Sequence, residues 1–137
     1  MSELKVGLTA TREMMVDERM TTTHMDGIQV LSTPQLIQQL EETSHYCVAP
    51  HLSAGQHTVG TVVCIKHLAA TPLGMQFRAE VELIEIDRRR LKFKVSAYDE
   101  QEKIAEGEHE RFIVDAGRFV EGLKKKANQE TGRQVNT

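Results

Sequence analysis

An α+β domain, in which a curved antiparallel sheet wraps one long helix, is the fold class this sequence predicts. Three observations lead there. One amphipathic helix is bracketed by Pro34 and Pro50, and a block of strands and short turns follows it up to about residue 114. The chain has 137 residues, 39% of them hydrophobic, which suits a single core. A domain of this size buries roughly 70% of the surface its unfolded chain exposes, so it needs no metal or disulfide staple.

The elements follow in order. Between Val6 and Met25 the pattern is weak, with an edge strand readable from about Thr9 to Val16. Leu31-Ser32-Thr33-Pro34 is a helix start, because proline tolerates the first turn, where its missing N–H would lack a partner anyway. Ser32 and Gln35 have the spacing of a capping box. Leu36, Ile37, Leu40, Ser44, Cys47 and Val48 then recur at helical spacing until Pro50 closes the run. From Thr58 to Ala70 the chain reads TVGTVVCIKHLAA, apolar on both parities, which predicts a strand covered on both faces or central in the sheet. After the turn at residues 71–74, Met75, Phe77, Ala79, Val81 and Leu83 alternate with polar neighbours, and the parity slips at Ile84 and Ile86, as at a bulge. A charged turn at residues 87–90 leads into Leu91, Phe93, Val95 and Ala97, again alternating. A last strand runs from about Lys103 to Val114, completing an expected four-strand meander. Asp115 can cap a short terminal helix with Phe119, Val120 and Leu123 on its apolar side. The domain is therefore read as 1–123, with 124–137 a frayed polar tail. The hot-dog arrangement fits this order of elements.

Composition removes several functions. Aromatics are 4% with no tryptophan, too few for a base-stacking platform, and the net charge of −3 is the wrong sign for counterion-driven binding, so nucleic acid is not expected as a partner. No apolar run reaches the ~18–20 residues of a membrane span. The start, Met1-Ser2-Glu3-Leu4-Lys5, carries no secretory pattern, and Cys47 and Cys64 form no motif. The expectation is a cytoplasmic protein with two reduced, partly buried thiols.

Three side chains suit proton or charge chemistry. Glu41 lies at the border of the helix's apolar face, in line with Ile37, while Glu42 projects to the opposite, solvated side. Partly buried carboxylates hold their proton more tightly unless a cation or hydrogen bond offsets burial, and that is useful for proton transfer; the plainer alternative is a glutamate that snorkels to solvent. His67 shares the parity of Val63 and Ile65 and is either a satisfied core residue or an acid/base facing a cavity. Gly60, seven positions earlier, marks a bulge or a place where a ligand meets the backbone. Thr33 could simply cap the helix, or offer its hydroxyl where helix N–H groups favour developing negative charge. His45, Cys47 and His51 do not converge as metal ligands, the Arg88–Arg90 turn reads as solvated, and no GxGxxG, P-loop or GxSxG is present.

The segments STPQLIQQLEE, GTVVCIKHLAATPLG and VSAYDEQEKIAEGEHERF resemble the fluoroacetyl-CoA thioesterase family of hot-dog acyl-CoA thioesterases, over roughly Val30 to Val114. That family's site has a threonine before the central helix, a glutamate on it, and a histidine on the next strand with a glycine upstream. The resemblance carries these onto Thr33, Glu41, His67 and Gly60, with Arg111 of the HER triplet as a structural or phosphate-contacting match. It implies hydrolysis of an acyl-CoA, with Glu41 or His67 as nucleophile or general base, by a homodimer whose sites lie between subunits. No cofactor or metal is implied, since coenzyme A is part of the substrate. In the fluoroacetyl-specific enzyme, lid aromatics select the fluorinated group; here the stretch is His24-Met25-Asp26-Gly27-Ile28-Gln29, so another small acyl group is expected. The alternatives are a non-catalytic acyl-CoA-binding or dimeric interaction module, and a hot-dog 3-hydroxyacyl-CoA dehydratase. Lys66, Arg88–Arg90 and Arg111 are the candidate contacts for CoA phosphates.

Overall fold

The computed structural model describes residues 3–23 and 25–134. Strand β1 (Thr9–Met15) is followed by a small ribbon, β2 (Thr21–Thr23) with β3 (Gln29–Leu31), and then by helix α1 (Thr33–Val48). Four long strands come next: β4 (Gln56–His67), β5 (Gln76–Asp87), β6 (Arg90–Asp99) and β7 (Lys103–Asp115). Helix α2 (Ala116–Gln134) closes the chain. The main sheet has the order β1-β5-β6-β7-β4 with every pair antiparallel.

Helix α1 begins where the sequence places it, with a division of labour between its two hydroxyl residues. Ser32 is extended (φ −77°, ψ 151°) and its Oγ accepts the Gln35 N–H at 3.3 Å, so Ser32 is the cap. The backbone N–H of Ser32 goes to the Met20 carbonyl at 2.8 Å, so only half of the expected capping box forms. Thr33 is thereby the first helical residue and its hydroxyl is not needed for capping. The buried face of α1 carries Leu36, Leu40, Cys47 and Val48, and also the polar Gln39, Thr43 and Ser44. Each of these side chains has a partner: the Thr43 and Ser44 hydroxyls donate to the Gln39 and Leu40 carbonyls, and Gln39 Oε1 accepts from Arg12 on β1. Burying Leu36 and Leu40 completely contributes about 1.5–3 kcal/mol each.

The face of the sheet toward α1 is the alternating set Phe77, Ala79, Val81 and Leu83 of β5 with Leu91, Phe93, Val95 and Ala97 of β6. The register shift between Leu83 and Glu85 is the bulge anticipated from the slip in parity.

The topology corrects two expectations. Only β5, β6 and β7 form a meander; β4 lies beyond β7 and β1 beyond β5. Within the chain, strand β4 is thus an edge strand and not a central one, with Val62 and Val63 at 45% and 42% exposure. Periodicity reports that a strand's apolar residues need cover; it does not report which surface supplies it. Glu42 is half-buried and 3.5 Å from Arg12, not free in solvent. Cys47 is buried as a free thiol, pushed up to about 11 by burial, whereas Cys64 is exposed. Helix α2 continues past Leu123, where its apolar pattern ends, so the expected tail begins as helix to Gln134. His24 of the lid stretch and residues 135–137 lie outside the described residues.

Candidate active site

The five residues singled out from the sequence fall into two groups within the chain. The first is Thr33 with His67. Helix α1 starts beside the end of β4, and Thr33 Oγ1 and His67 Nδ1 are joined by a 2.7 Å hydrogen bond. His67 Nε2 is buried and has no hydrogen-bond partner. Burial lowers the His67 pKa, with the nearby Ala69 backbone opposing it, so the imidazole is neutral at pH 7. Thr33 and His67 line a pocket of about 330 Å³ whose other walls include Val30, Leu31, Leu68 and Ala69. A buried, unpartnered ring nitrogen in a pocket is poised to meet a polar atom of a ligand.

The second group is built around Glu41. In β4, Gly60 pairs with Arg111 while Val62 pairs with Glu110, so Thr61 is the extra residue of a bulge. A Cβ on Gly60 would lie 2.5 Å from Glu41 Oε2, so the carboxylate occupies the space that the glycine leaves open. The bulge read at Gly60 forms there, and the group that approaches the glycine is the chain's own Glu41 carboxylate. Arg111 supplies the cation that a partly buried carboxylate requires: its Nη1 is 3.7 Å from Glu41 Oε2. Arg111 is itself 8% exposed and bolted in place, Nε donating to Thr58 Oγ1 at 2.8 Å and Nη2 to the Thr58 carbonyl at 2.9 Å. Within the chain Arg111 thus has a structural role, holding Thr58 and Glu41 together.

His109 completes this group. Its Nδ1–H donates to the Val62 carbonyl at 2.8 Å, which leaves Nε2 as an acceptor for Arg111 Nη1 at 3.2 Å. Burial pushes the His109 pKa down; the Val62 bond and Glu41 oppose it, and Arg111 adds to it. A neutral ring accepting from arginine is consistent with that direction, so the 4.0 Å approach of Nε2 to Glu41 is not an ion pair. Burial also lowers the Arg111 pKa, offset by Glu41, and the guanidinium remains charged.

Thr33–Glu41–His67 therefore do not meet as a triad within one chain. Eight helical residues separate Thr33 from Glu41, about 12 Å along the axis. Sequence reasoning missed His109, Thr58 and His45, which line the Glu41 group. The first was findable: His109 and Arg111 are two apart on one strand and so share a face. Among the arginines of the 87–90 turn, Arg90 pairs with Glu85 and Glu110, Arg89 with Asp115 and Arg88 with Asp87, so all three are spent on carboxylates. Lys66 has no ion pair among the described residues. A larger groove of about 660 Å³ on the outer face of the sheet is lined by Lys66, Lys94, Glu80, Glu82 and Glu106 among others. It contains none of Thr33, Glu41 or His67, and its mixed charges are those of a solvated sheet face.

Comparison with known proteins places the chain in a family. The family model for the fluoroacetyl-CoA-specific thioesterase matches residues 10–117. The fluoroacetyl-CoA thioesterase of Streptantibioticus cattleyicolor is 29% identical over 131 residues, covering 90% of this chain and 94% of that one. A solved structure of the fluoroacetyl-CoA thioesterase superposes with a TM-score of 0.85 at 28% identity, covering 91% of this chain and 98% of that one. A variant of that enzyme solved in complex with fluoroacetate and CoA gives a TM-score of 0.79 at 30% identity, over 85% and 99% of the two chains.

Proposed function

The chain belongs to the fluoroacetyl-CoA-specific thioesterase family, hot-dog acyl-CoA thioesterases, and on that premise we propose that it hydrolyses a short acyl-CoA other than fluoroacetyl-CoA, as a homodimer with sites shared between subunits. The observation that carries this reading is His67, with Nδ1 engaged by Thr33 and Nε2 left unpartnered on the wall of a pocket. The pocket volume of about 330 Å³ and its Val, Leu and Ala walls suit a small acyl group. No aromatic ring occurs between Met25 and Gln29 to select fluorine.

A second copy supplies what one chain separates. The free edge of β4 is apolar and unpaired, and an antiparallel, two-fold pairing of two β4 strands covers it. If the axis passes between Val63 and Cys64, position 60 stands opposite position 67 of the second copy, since each pair sums to 127. Directly opposed residues share a face with Cβ positions roughly 5 Å apart. Glu41, packed over Gly60, then faces the Thr33–His67 pair of the other subunit.

In such a site water adds across the thioester: the acyl carbon gains oxygen, the C–S bond breaks, and CoA leaves as the thiol. Glu41 attacks the carbonyl or activates the water, and Thr33 and His67 polarise the carbonyl and pass the proton. The backbone freed at the Gly60–Thr61 bulge is the candidate oxyanion donor, a contribution of about 3 kcal/mol in comparable sites. Lys66, next to His67 in β4 and without a salt bridge among the described residues, is the candidate contact for CoA phosphates.

Subunit mixing tests the reading. Glu41→Ala and His67→Ala are each expected to be inactive as homodimers toward a panel of acyl-CoAs followed by free thiol release. Unfolded and refolded together in equal amounts, they should recover about 25% of wild-type activity, because half the dimers are mixed and each holds one intact site. No recovery places both residues of a site in the same chain and overturns the shared site. Loss of water with the thioester retained would identify a dehydratase, and CoA esters that raise the Tm without turnover would identify a binding module.

A further inference from the structure

The geometry points to Thr58 and His45 as positioning residues for Glu41, acting through the guanidinium of Arg111. The inference rests on the proposed reading for its catalytic meaning, but its chemistry lies in a buried hydrogen-bond chain. Thr58 is 1% exposed, and its Oγ1 accepts from Arg111 Nε at 2.8 Å. Arginine has only donors, so the Thr58 proton must go elsewhere. His45 Nδ1 lies 2.6 Å from the same hydroxyl oxygen, and Thr58 therefore donates to it. This fixes His45 as the neutral ring with its proton on Nε2. Hydrogen bonds then link His45, Thr58 and Arg111, with one proton in each, and Arg111 meets Glu41 as an ion pair at 3.7 Å.

Protonating His45 breaks that order. An Nδ1–H would put two donors on the Thr58 oxygen and leave the hydroxyl proton without its acceptor in a buried position. It would also set a second positive charge against Arg111. The cationic and ring groups around His45 are His57 of β4, tilted against it at 4.2 Å between ring centroids, Tyr46 of α1 at 5.9 Å, and Arg111 of β7; His57 and Arg111 reinforce the neutral form. Burial, then His57, then Arg111 lower the His45 pKa. The carboxylates Glu41 and Glu42 of α1 are held by Arg111 and Arg12 respectively. His45 thus sets whether Thr58 can grip Arg111, and so where Arg111 holds Glu41.

Four variants and one spectrum test this. Thr58→Val keeps the shape and deletes the hydroxyl; it should lower kcat about tenfold or more with KM little changed, and Thr58→Ser should restore most of the rate. His45→Leu should resemble Thr58→Val at every pH. His45→Gln offers an acceptor that does not titrate, so it should retain the rate near pH 8 and carry the acidic limb of kcat to lower pH. Nitrogen-15 imidazole spectra of the wild-type protein should show His45 protonated on Nε2 at neutral pH, with an Arg111 Nε–H resonance that Thr58→Val abolishes while the backbone spectrum persists. Normal kcat in Thr58→Val, an unmoved acidic limb in His45→Gln, or a proton on His45 Nδ1 at neutral pH would each overturn the inference. A wild-type protein that turns over no acyl-CoA would remove the proposed reaction, and the spectra would still decide the hydrogen-bond chain.

Discussion

Replacing Gly60 by alanine separates catalysis from folding, because the added methyl meets the Glu41 carboxylate and little else. The new Cβ would lie 2.5 Å from Glu41 Oε2, 3.3 Å from His109 Cε1 and 3.5 Å from Arg111 Nη1. An ordinary contact begins at 3.4 Å, so the carboxylate must withdraw by about 0.9 Å, while His109 gives by about a tenth of an ångström. Glu41 is at the end of a flexible side chain with 35% of its surface exposed, so it can swing outward at small cost. Alanine also removes the entropy penalty of glycine in a strand, about 0.5–1 kcal/mol, which offsets part of the crowding. The Tm should therefore stay within about 3 °C of wild type. Activity should not survive as well. A displacement of about 1 Å from a reactive geometry costs on the order of 100-fold, or about 2.7 kcal/mol of transition-state stabilisation. The assay is kcat/KM from free CoA release on the best substrate of an acyl-CoA panel, with a thermal melt by circular dichroism. Gly107→Ala is the contrast: its Cβ would fall 2.1 Å from the Cys64 carbonyl oxygen, a backbone atom that cannot swing away, so that variant should lose stability outright. A Gly60→Ala protein with wild-type turnover would refute the reasoning, since Glu41 would then work equally well from a displaced position.

Other substitutions follow from the same geometry. Thr33→Val should lower kcat/KM at least about tenfold while leaving the melt unchanged, because Ser32 rather than Thr33 caps α1; a large drop in Tm would contradict that division. Lys66→Glu should raise KM for CoA esters several-fold, about threefold or more, with kcat preserved, and the effect should shrink as salt is added. Equal KM at low salt would exclude Lys66 as a phosphate contact. Stability should fall on acidification through the histidines. His45, His67 and His109 all have folded pKa values below the ordinary 6.5, so below that pH the unfolded chain binds more protons than the folded one. Their contribution is complete above the unfolded value and is lost as the pH falls through the lowered folded values. Tm should therefore decline from about pH 7 toward pH 5. A flat profile, or a Tm that rises on acidification, would contradict neutral burial of these rings.

What the sequence determined is whatever local chemistry can specify. The proline and serine at the start of α1 set the helix boundary, the period of two from Phe77 to Leu83 set the buried face of β5, and the slip at Ile84 marked its bulge. Gly60, Glu41, His67 and Thr33 could be singled out as candidates, because their residue types and spacing resemble a family pattern. Tertiary structure decided the rest. Whether β4 sits inside the sheet or at its edge depends on which strand pairs with β7, and an apolar strand reads the same in either place. That Arg111 is buried against Thr58 and Glu41 is a fact of the fold that no local pattern carries. The Thr33–His67 and Glu41–Gly60–Arg111 groups were read as one constellation, since spacing along a chain carries no information about the opposite ends of a helix and a strand. His45 and Thr58 are thirteen residues apart and gave no pattern at all; only the packing of α1 on β4 brings a ring nitrogen within 2.6 Å of a buried hydroxyl. Local rules place each side chain on a face, and the long-range pairing of faces determines which of them can exchange a proton.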